Sequence, residues 1–343
     1  MKHHYQTYQQ FRAPDLLGDY WFNSEPISIR ELEGRPVVIF FWDFTSLQSK
    51  RLIPFINGLH ALYMEFGLVC VGVHSCEFEF GKSAQRLEQE IKKNLILFPV
   101  LADNSRMITE AYRISELPTI CLIDNKGNMY DVRSHAFVPE QIERSLQYLL
   151  RQSGYHGELP LLLNPEFEEH YSFPEGDVHE IFAGYAHGAL GNPEGYSPEL
   201  SAEYRDPLIY LDEKFYAHGI WKAERDSFTY NGEPGKGYIV YTHHTDDSHI
   251  LVGSSDKATL TVTMNDKPLS LSMMGNDIEK DKKGHTFLKI DSPKLSALIR
   301  NNRNKKGIVK LFPLSPGISI YMFSFSERSS DHHFTGDSAI PNN

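Results

Sequence analysis

Residues 37–55 constrain the fold of this chain most, because an apolar run passes there directly into a helical pattern. Six consecutive apolar residues, Val37 to Trp42, are typical of a strand that is covered on both faces. Thr45 and Ser46 follow at the junction, and hydroxyl side chains suit the N-cap position of a helix. The apolar residues then recur with a helical period, at Leu52, Phe55, Ile56, Leu59, Leu62 and Tyr63. The segment therefore predicts a buried strand, a short turn and a helix.

Strands and helices continue to alternate after this unit. A second buried strand is predicted at 68–74, a helix at 83–93 and a short strand at 98–103. Because strand–helix–strand crossovers are right-handed, the first two strands end at the same edge of a parallel sheet. This places Cys76, which follows the second strand, near Ser46.

The first domain is predicted to close near residue 153. Its last elements are a loop and strand at 114–123, a hairpin turn at 124–127, an antiparallel strand at 129–133 and a helix at 139–152. We therefore predict that residues 1–153 form one α/β domain.

The chain beyond residue 153 has a different pattern. Glycine and proline interrupt residues 154–176, which predicts a linker. Short alternating runs with turn residues between them then predict an all-β sandwich of the jelly-roll type over 177–328. The polar tail at 329–343 is predicted to be disordered. The predicted strands are 238–242, 249–253, 258–264, 269–273, 285–290, 307–312 and 318–325.

The strand–turn–helix unit resembles that of the thioredoxin-like redoxins, whose turn presents Cys-x-x-Cys at the helix N-terminus. Trp42 and Pro54 match the tryptophan near the turn and the proline one turn into the helix. Ser46 and Ser49 stand where the two redox cysteines belong. A serine hydroxyl stays protonated at neutral pH and forms no disulfide, and no histidine close in sequence is available to activate it. We therefore favour a capping role for Ser46 over a nucleophilic one.

A second motif fits the same resemblance. Leu117-Pro118-Thr119 enters a strand, as does the redoxin loop whose cis-proline faces the Cys-x-x-Cys turn. The resemblance implies a cis Leu117–Pro118 bond and a substrate-binding role for Trp42, Leu117 and Pro118.

The three cysteines, Cys70, Cys76 and Cys121, are too few for a disulfide framework. Cys70 and Cys121 lie in apolar strand patterns and are predicted to be packed as small hydrophobic residues. Two interpretations of Cys76 stay open. It is either a lone reactive thiol that forms a mixed disulfide or a sulfenic acid, or a quiet loop cysteine whose acidic neighbours raise its pKa.

Over residues 14–326 the chain resembles the redoxins of the DipZ type, in which a carbohydrate-binding-module-like jelly roll follows the thioredoxin-like domain. The segments that carry the resemblance are 42–54, 71–80, 184–195 and 219–221. The family implies thiol-disulfide oxidoreductase activity outside the cytoplasm. This chain departs from it at Ser46 and Ser49, and at Cys76, where proline is usual.

Three functions follow as hypotheses. The leading one is a redoxin-fold binding or scaffold protein without the redox pair, whose cis-proline groove docks an extended peptide or a protein thiol partner. The second is a thiol-disulfide oxidoreductase or thiol peroxidase, acting through Cys76 or through natural cysteines that serine replaces at 46 and 49 in the given sequence. The third is glycan binding by aromatic residues of the second domain, drawn from Tyr185, Tyr196, Tyr204, Tyr210, Trp221 and Tyr230.

Composition and charge argue against several other classes of function. A net charge of -11 without a basic stripe argues against nucleic acid as a partner. Neither a signal peptide nor a run of about 18 apolar residues is present, so we expect a cytoplasmic protein with no membrane segment. A group of histidines and aspartates lies at a strand end, where neighbouring side chains point to opposite faces and so do not converge on a metal ion. We predict that this group forms a polar loop; its members are His243, His244, Asp246, Asp247 and His249. We expect no metal and no cofactor.

Overall fold

The computed structural model describes residues 11–134, 138–163, 178–300 and 306–327, which form two compact units, built mainly from residues up to 163 and from 178 onward. The first unit is an α/β domain of the thioredoxin type. Its strands are β1 (Tyr20–Phe22), β2 (Val37–Trp42), β3 (Val69–His74), β4 (Val100–Ala102), β5 (Thr119–Ile123) and β6 (Met129–Ser134). Its helices are α1 (Leu47–Tyr63), α2 (Ala84–Lys93), α3 (Met107–Ala111) and α4 (Pro139–Gln152), with short 3-10 helices at Ile29–Leu32, Met64–Phe66 and Glu79–Lys82.

The six strands form one mixed sheet in the order β1-β4-β3-β2-β5-β6. Strands β2, β3 and β4 run parallel, and β1, β5 and β6 pair antiparallel to their neighbours. All six residues of β2 are buried, and its side chains alternate between two cores. Val38 and Phe40 pack with residues of α1 and α4, whereas Ile39 and Phe41 pack with residues of α3. The prediction of a central strand covered on both faces is confirmed.

Three chain segments meet at one edge of this sheet. In the parallel pair Trp42 lies opposite His74, so β2 and β3 end together. In the antiparallel pair Phe41 lies opposite Thr119, so β5 begins at the same edge. The N-terminus of α1, the loop after β3 and the loop before β5 are therefore neighbours. The Leu117–Pro118 peptide bond in that last loop is cis, as predicted.

The second unit is an antiparallel β-domain. Its strands are β7 (Val178–Phe182), β8 (Ser201–Tyr204), β9 (Phe215–Ala223), β10 (Phe228–Tyr230), β11 (Tyr238–His243), β12 (Asp247–Ser254), β13 (Ala258–Met264), β14 (Lys267–Pro268), β15 (Ile278–Lys280), β16 (Thr286–Ile290), β17 (Lys294–Ile299), β18 (Gly307–Pro313) and β19 (Ile318–Ser326). They follow the order β15-β16-β13-β18-β11-β9-β10-β19-β12-β17, with β14 on β13, β7 on β19 and β8 on β9. One hydrophobic core draws side chains from strands along this whole path.

Strand β9 connects the two halves of this sheet. Its first residues pair with β11 up to His218, and the residues from Gly219 onward pair with β8 and β10. Gly219 has φ of +94°, and a Cβ there would lie 2.9 Å from the Cα of Gly237. The change of partner thus occurs at a residue that must be glycine.

Six of the seven predicted strands of this unit are present, and the strand at 269–273 is wrong. After a turn at Asn265 and Asp266, only β14 returns to pair with β13, and it ends at Pro268, which has no N–H for the ladder. Leu269 is buried, but Leu271 is 71% exposed, so the alternation there does not mark one face of a sheet. Strands β7 to β10, β14, β15 and β17 were not predicted. The predicted linker is described only up to residue 163, without helix or strand after Gln152, and the predicted tail lies outside the described residues.

Candidate functional site at the edge of the redoxin sheet

Both serines at the start of α1 are held by hydrogen bonds. Ser46 is the N-cap, and its hydroxyl accepts from the backbone N–H of Ser49 at 3.3 Å. The Ser49 hydroxyl is fully buried and accepts from the backbone N–H of Asp43 at 3.2 Å. The capping role predicted for Ser46 is confirmed, and the helix begins at Leu47.

Asp43 ties the turn before α1 to the loop after β3. One carboxylate oxygen accepts from the backbone N–H of Thr45 at 2.7 Å, and the other accepts from the backbone N–H of Glu77 at 3.2 Å. Burial by itself raises the pKa of this carboxyl, but the neighbouring His74 and the hydrogen bonds from Thr45 outweigh it and hold the pKa below its usual value. Asp43 is therefore a charged, buried anchor.

His74 and Cys76 lie against this carboxylate. The ligand atoms of Asp43, His74 and Cys76 all lie within 4.8 Å of one another, and all three residues are buried. His74 Nε2 is 3.7 Å from Asp43 Oδ1, which is too long for a hydrogen bond. The imidazole stacks on Phe44, with ring centroids 4.9 Å apart. The sequence predicted Cys76 at this edge beside His74, but it did not indicate that Asp43 joins them.

The Cys76 thiol is closed off from solvent. Its residue is 2% exposed, and burial, followed by the charge of Asp43, raises its pKa well above the ordinary value. The 3-10 helix Glu79–Lys82 covers it through Gly81, where an added Cβ would lie only 1.9 Å from the sulfur. The quiet-cysteine interpretation fits these surroundings. Cys70 and Cys121 are buried free thiols, as predicted.

The three residues predicted to contact a substrate lie at different depths. Trp42 is fully buried, stacked on Phe40 and edge-on to His74, so it belongs to the core and does not line a surface groove. Pro118 is also buried, whereas Leu117 is half-buried. Within the part of the chain that the structure describes, the backbone of Leu117 makes no hydrogen bond to another backbone group.

The second unit changes two expectations. Three of the aromatic residues proposed to bind a glycan are core residues: Tyr204, Trp221 and Tyr230. Tyr196 and Tyr210 are half-buried, and their hydroxyls donate hydrogen bonds to the backbone carbonyl of Ala183 and the carboxylate of Asp206, respectively. The sixth, Tyr185, is half-buried against the same core, and its hydroxyl donates to Glu199. These six residues therefore do not form an exposed stacking platform.

The histidine run at 243–249 is not simply a polar loop either. His243, at the end of β11, and Asp247, at the start of β12, are both buried. In the described ranges, the only group of potential metal ligands is Asp43, His74 and Cys76.

Comparison with known families agrees with both units. Residues 6–132 match the AhpC/TSA family, and residues 178–326 match the thioredoxin-like C-terminal domain family. The chain carries a thioredoxin-like redoxin domain. The redoxin fold of its first unit is thus established by sequence and by topology together.

The matched relatives include thiol-disulfide oxidoreductases. The chain is 26% identical to protein DipZ of Mycobacterium bovis over 270 residues, which is 77% of this chain and 38% of DipZ. It is 28% identical over 126 residues to the thiol-disulfide oxidoreductase ResA of Halalkalibacterium halodurans, which is 37% of this chain and 69% of ResA. A thiol-disulfide isomerase structure from Corynebacterium glutamicum is 26% identical, with a TM-score of 0.38 over 40% of this chain and 96% of that one. The chain thus spans less than two fifths of the length of DipZ.

Among the described residues, every helix is too short or too polar to cross a membrane.

Proposed function

We propose that the redoxin domain binds an extended polypeptide at the sheet edge between α1 and the cis-proline loop, without disulfide exchange at α1. The observation that carries this proposal is the state of the two serines. Ser46 and Ser49 are both engaged in the hydrogen bonds that build the helix start. All three thiols of the chain are buried, including Cys76 at this edge. These hydrogen bonds and the burial of the thiols support a binding role for the redoxin fold in which serine stands at both positions.

Leu117 gives the groove a means of binding. Its side chain is half-buried and its backbone is unpaired within the described ranges, at the point where β5 begins. An extended peptide adds to such a backbone through main-chain hydrogen bonds, and its side chains select neighbouring pockets. The half-buried Ser46 and Gln48 at the same edge supply polar groups beside it.

Thiol chemistry at Cys76 is the alternative for the same edge. Attack on a disulfide needs an exposed thiolate, and Cys76 lies beneath Gly81 beside a buried carboxylate. An oxidoreductase role through Cys76 therefore requires the segment Glu79–Lys82 to open first, which makes peptide binding the better-supported function.

Placing cysteines at positions 46 and 49 tests whether this edge of the sheet can support thiol-disulfide exchange. The given chain is expected to give no insulin reduction above the dithiothreitol background, because it has no dithiol at α1. The Ser46→Cys/Ser49→Cys variant should gain this activity, since a thiol at a helix N-terminus is activated. Ser46→Cys alone is the matched control. Insulin reduction by the unaltered chain, lost in Cys76→Ala, would instead support the enzyme alternative.

Peptide binding is tested separately with a probe that carries no free thiol. Reduced and carboxymethylated α-lactalbumin is permanently unfolded, and its binding to the full chain can be followed by fluorescence anisotropy. Leu117→Asp should weaken binding at least tenfold by placing a charge in the groove. Leu97→Asp is the control, since Leu97 is an exposed leucine of the same domain. Equal affinities for the three proteins would contradict the proposal.

We infer glycan binding by the second unit as a second candidate, and a specific groove favours it. Half-buried Phe287 and Phe312 lie in an open depression with hydroxyl, carboxylate and imidazole groups around them, and an aromatic face with polar neighbours suits a sugar ring. Screening the full chain and Phe312→Ala on a glycan array tests this; equal profiles would exclude the groove. Its lining residues are Gly235, Thr259, Thr261, Asp281, His285, Phe287, Phe312 and Leu314.

A further inference from the structure

We propose that Asp43, His74 and Cys76 form a buried binding site for one divalent transition-metal ion, for which Zn²⁺ is the best match. This goes beyond peptide binding, because the site lies inside the domain and not in the groove. Carboxylate, imidazole and thiolate are the three kinds of side chain that bind Zn²⁺ in proteins. Here they come from the ends of two neighbouring strands and meet at one point.

The distances fit a metal better than they fit direct hydrogen bonds. Two ligands that bind Zn²⁺ at 2.0–2.1 Å in tetrahedral geometry are about 3.3 Å apart. His74 Nε2 and Asp43 Oδ1 are 3.7 Å apart, so a movement of a few tenths of an ångström would bring both into bonding range. The sulfur of Cys76 belongs to the same cluster within 4.8 Å.

His74 supplies an independent observation. Its side chain is fully buried, and neither ring nitrogen has a hydrogen-bond partner among the residues that the structure describes. A buried polar group without a partner is costly, and nearly all such groups in folded proteins are satisfied. The imidazole is oriented by its stacking on Phe44 so that Nε2 approaches Asp43. A metal ion between them would satisfy this nitrogen.

The charge and the chemical type of the three ligands limit which metal ion can bind. A carboxylate and a thiolate carry two negative charges, which a divalent cation neutralises in the absence of solvent. The thiolate selects against Mg²⁺ and Ca²⁺, which prefer oxygen ligands, and a mixed nitrogen, sulfur and oxygen set suits Zn²⁺. Metal binding would also release the thiol proton of Cys76.

The burial of the site gives the ion a structural role. Asp43 already joins the turn before α1 to the backbone of Glu77. A metal held by Asp43, His74 and Cys76 would add a second link between the same two loops. The edge that we propose as the peptide groove would then be held rigid from beneath.

Metal uptake by the full chain is the test. The protein is stripped with chelator, incubated with Zn²⁺ or Co²⁺, desalted and analysed by elemental mass spectrometry and absorbance. We expect one tightly held ion per chain and, with Co²⁺, a near-ultraviolet thiolate-to-cobalt charge-transfer band. Surface histidines bind cobalt without such a band. Retention of less than a tenth of an equivalent, or a cobalt complex without this band, would overturn the proposal.

Variants of the cysteines and of His74 test whether the charge-transfer band arises from metal bound at Asp43, His74 and Cys76. Cys70→Ser/Cys121→Ser leaves Cys76 as the only thiol and should keep both the ion and the band. Cys76→Ser and His74→Gln should each lose at least nine tenths of the bound ion. Circular dichroism of each variant verifies that it is folded. A folded Cys76→Ser that binds as much ion as the unaltered chain would place the metal elsewhere. Peptide binding is measured without added metal, so either proposal can fail alone.

Discussion

At the scale of single residues, the buried His243 gives the second unit a response to pH. His243 at the end of β11 is fully buried, and neither of its ring nitrogens has a partner among the described residues. Burial, aided by the nearby His244, lowers its pKa to about 4. The folded protein therefore holds this imidazole neutral in a range where the unfolded chain binds a proton.

The second unit should accordingly lose stability in acid. The contribution of His243 is fully present above its unfolded pKa of about 6.5, and it is lost as pH falls from there toward the folded value of about 4. At pH 5 the loss is about 2 kcal/mol, since each pKa unit corresponds to about 1.4 kcal/mol. Urea unfolding at pH 7 and pH 5 measures it, because in His243→Leu the drop in unfolding free energy should be smaller by this amount. His187→Gln, at an exposed histidine, should behave as the unaltered chain does. Parallel pH dependence in all three proteins would contradict the assignment.

Some of these residues could be predicted from the sequence and others could not. The cap at Ser46 was predictable because it depends only on local chain geometry. That Trp42 packs between Phe40 and His74 and does not line a substrate groove was not predictable, because it depends on how side chains pack around the end of β2. The cluster of Asp43 with Cys76 depends on side-chain directions at two strand ends, which topology alone does not give.

At the scale of elements, strand β9 contains a position where a side chain has no room. Gly219 combines a positive φ with close approach to Gly237, at the point where β9 changes partner from β11 to β8 and β10. Both features exclude a side chain.

Gly219→Ala should therefore destabilise the protein by about 1–3 kcal/mol, the usual cost of a residue held in an unfavourable backbone conformation. Gly195→Ala is the matched control, since Gly195 also has positive φ but has no atom within 4 Å of its added Cβ. It should cost less in the same urea titration. If both variants lost equal stability, the close approach to Gly237 would contribute nothing.

Elements with a strong local pattern were the ones that the sequence predicted best. Helix α4 has the predicted bounds 139–152, because proline at its start and a regular apolar face define it. Strand β17 was missed because its partner β12 lies far away in the sequence, and β8 was missed because only Tyr204 of its four residues is buried. The same dependence on distant partners explains the false strand at 269–273.

At the scale of the whole molecule, the last strand of the second unit pairs with three strands that precede it in the chain. Strand β19 pairs with β7, β10 and β12, which come from the beginning and the middle of that unit. Phe323 and Phe325 of β19 lie in the core. Formation of this unit therefore awaits the C-terminal part of the chain.

A chain that ends at Pro313 should not complete the second unit, because it lacks all three ladders of β19. Limited proteolysis followed by mass spectrometry should show rapid cleavage within 178–313 in this shortened chain. A chain that ends at Glu327 keeps every described strand and should resist the protease as the full chain does. Resistance of the shorter chain would show that β19 is dispensable.

The pairing of β7 with β19 brings the two ends of the second unit together. Val178 lies opposite Ser326, so the unit begins and ends at the same place. A short connection between these two residues would close the backbone, and new ends could then be opened in a surface turn such as Asn265-Asp266. The β-domain is thus suited to circular permutation, and to insertion as a cassette into a loop of another protein.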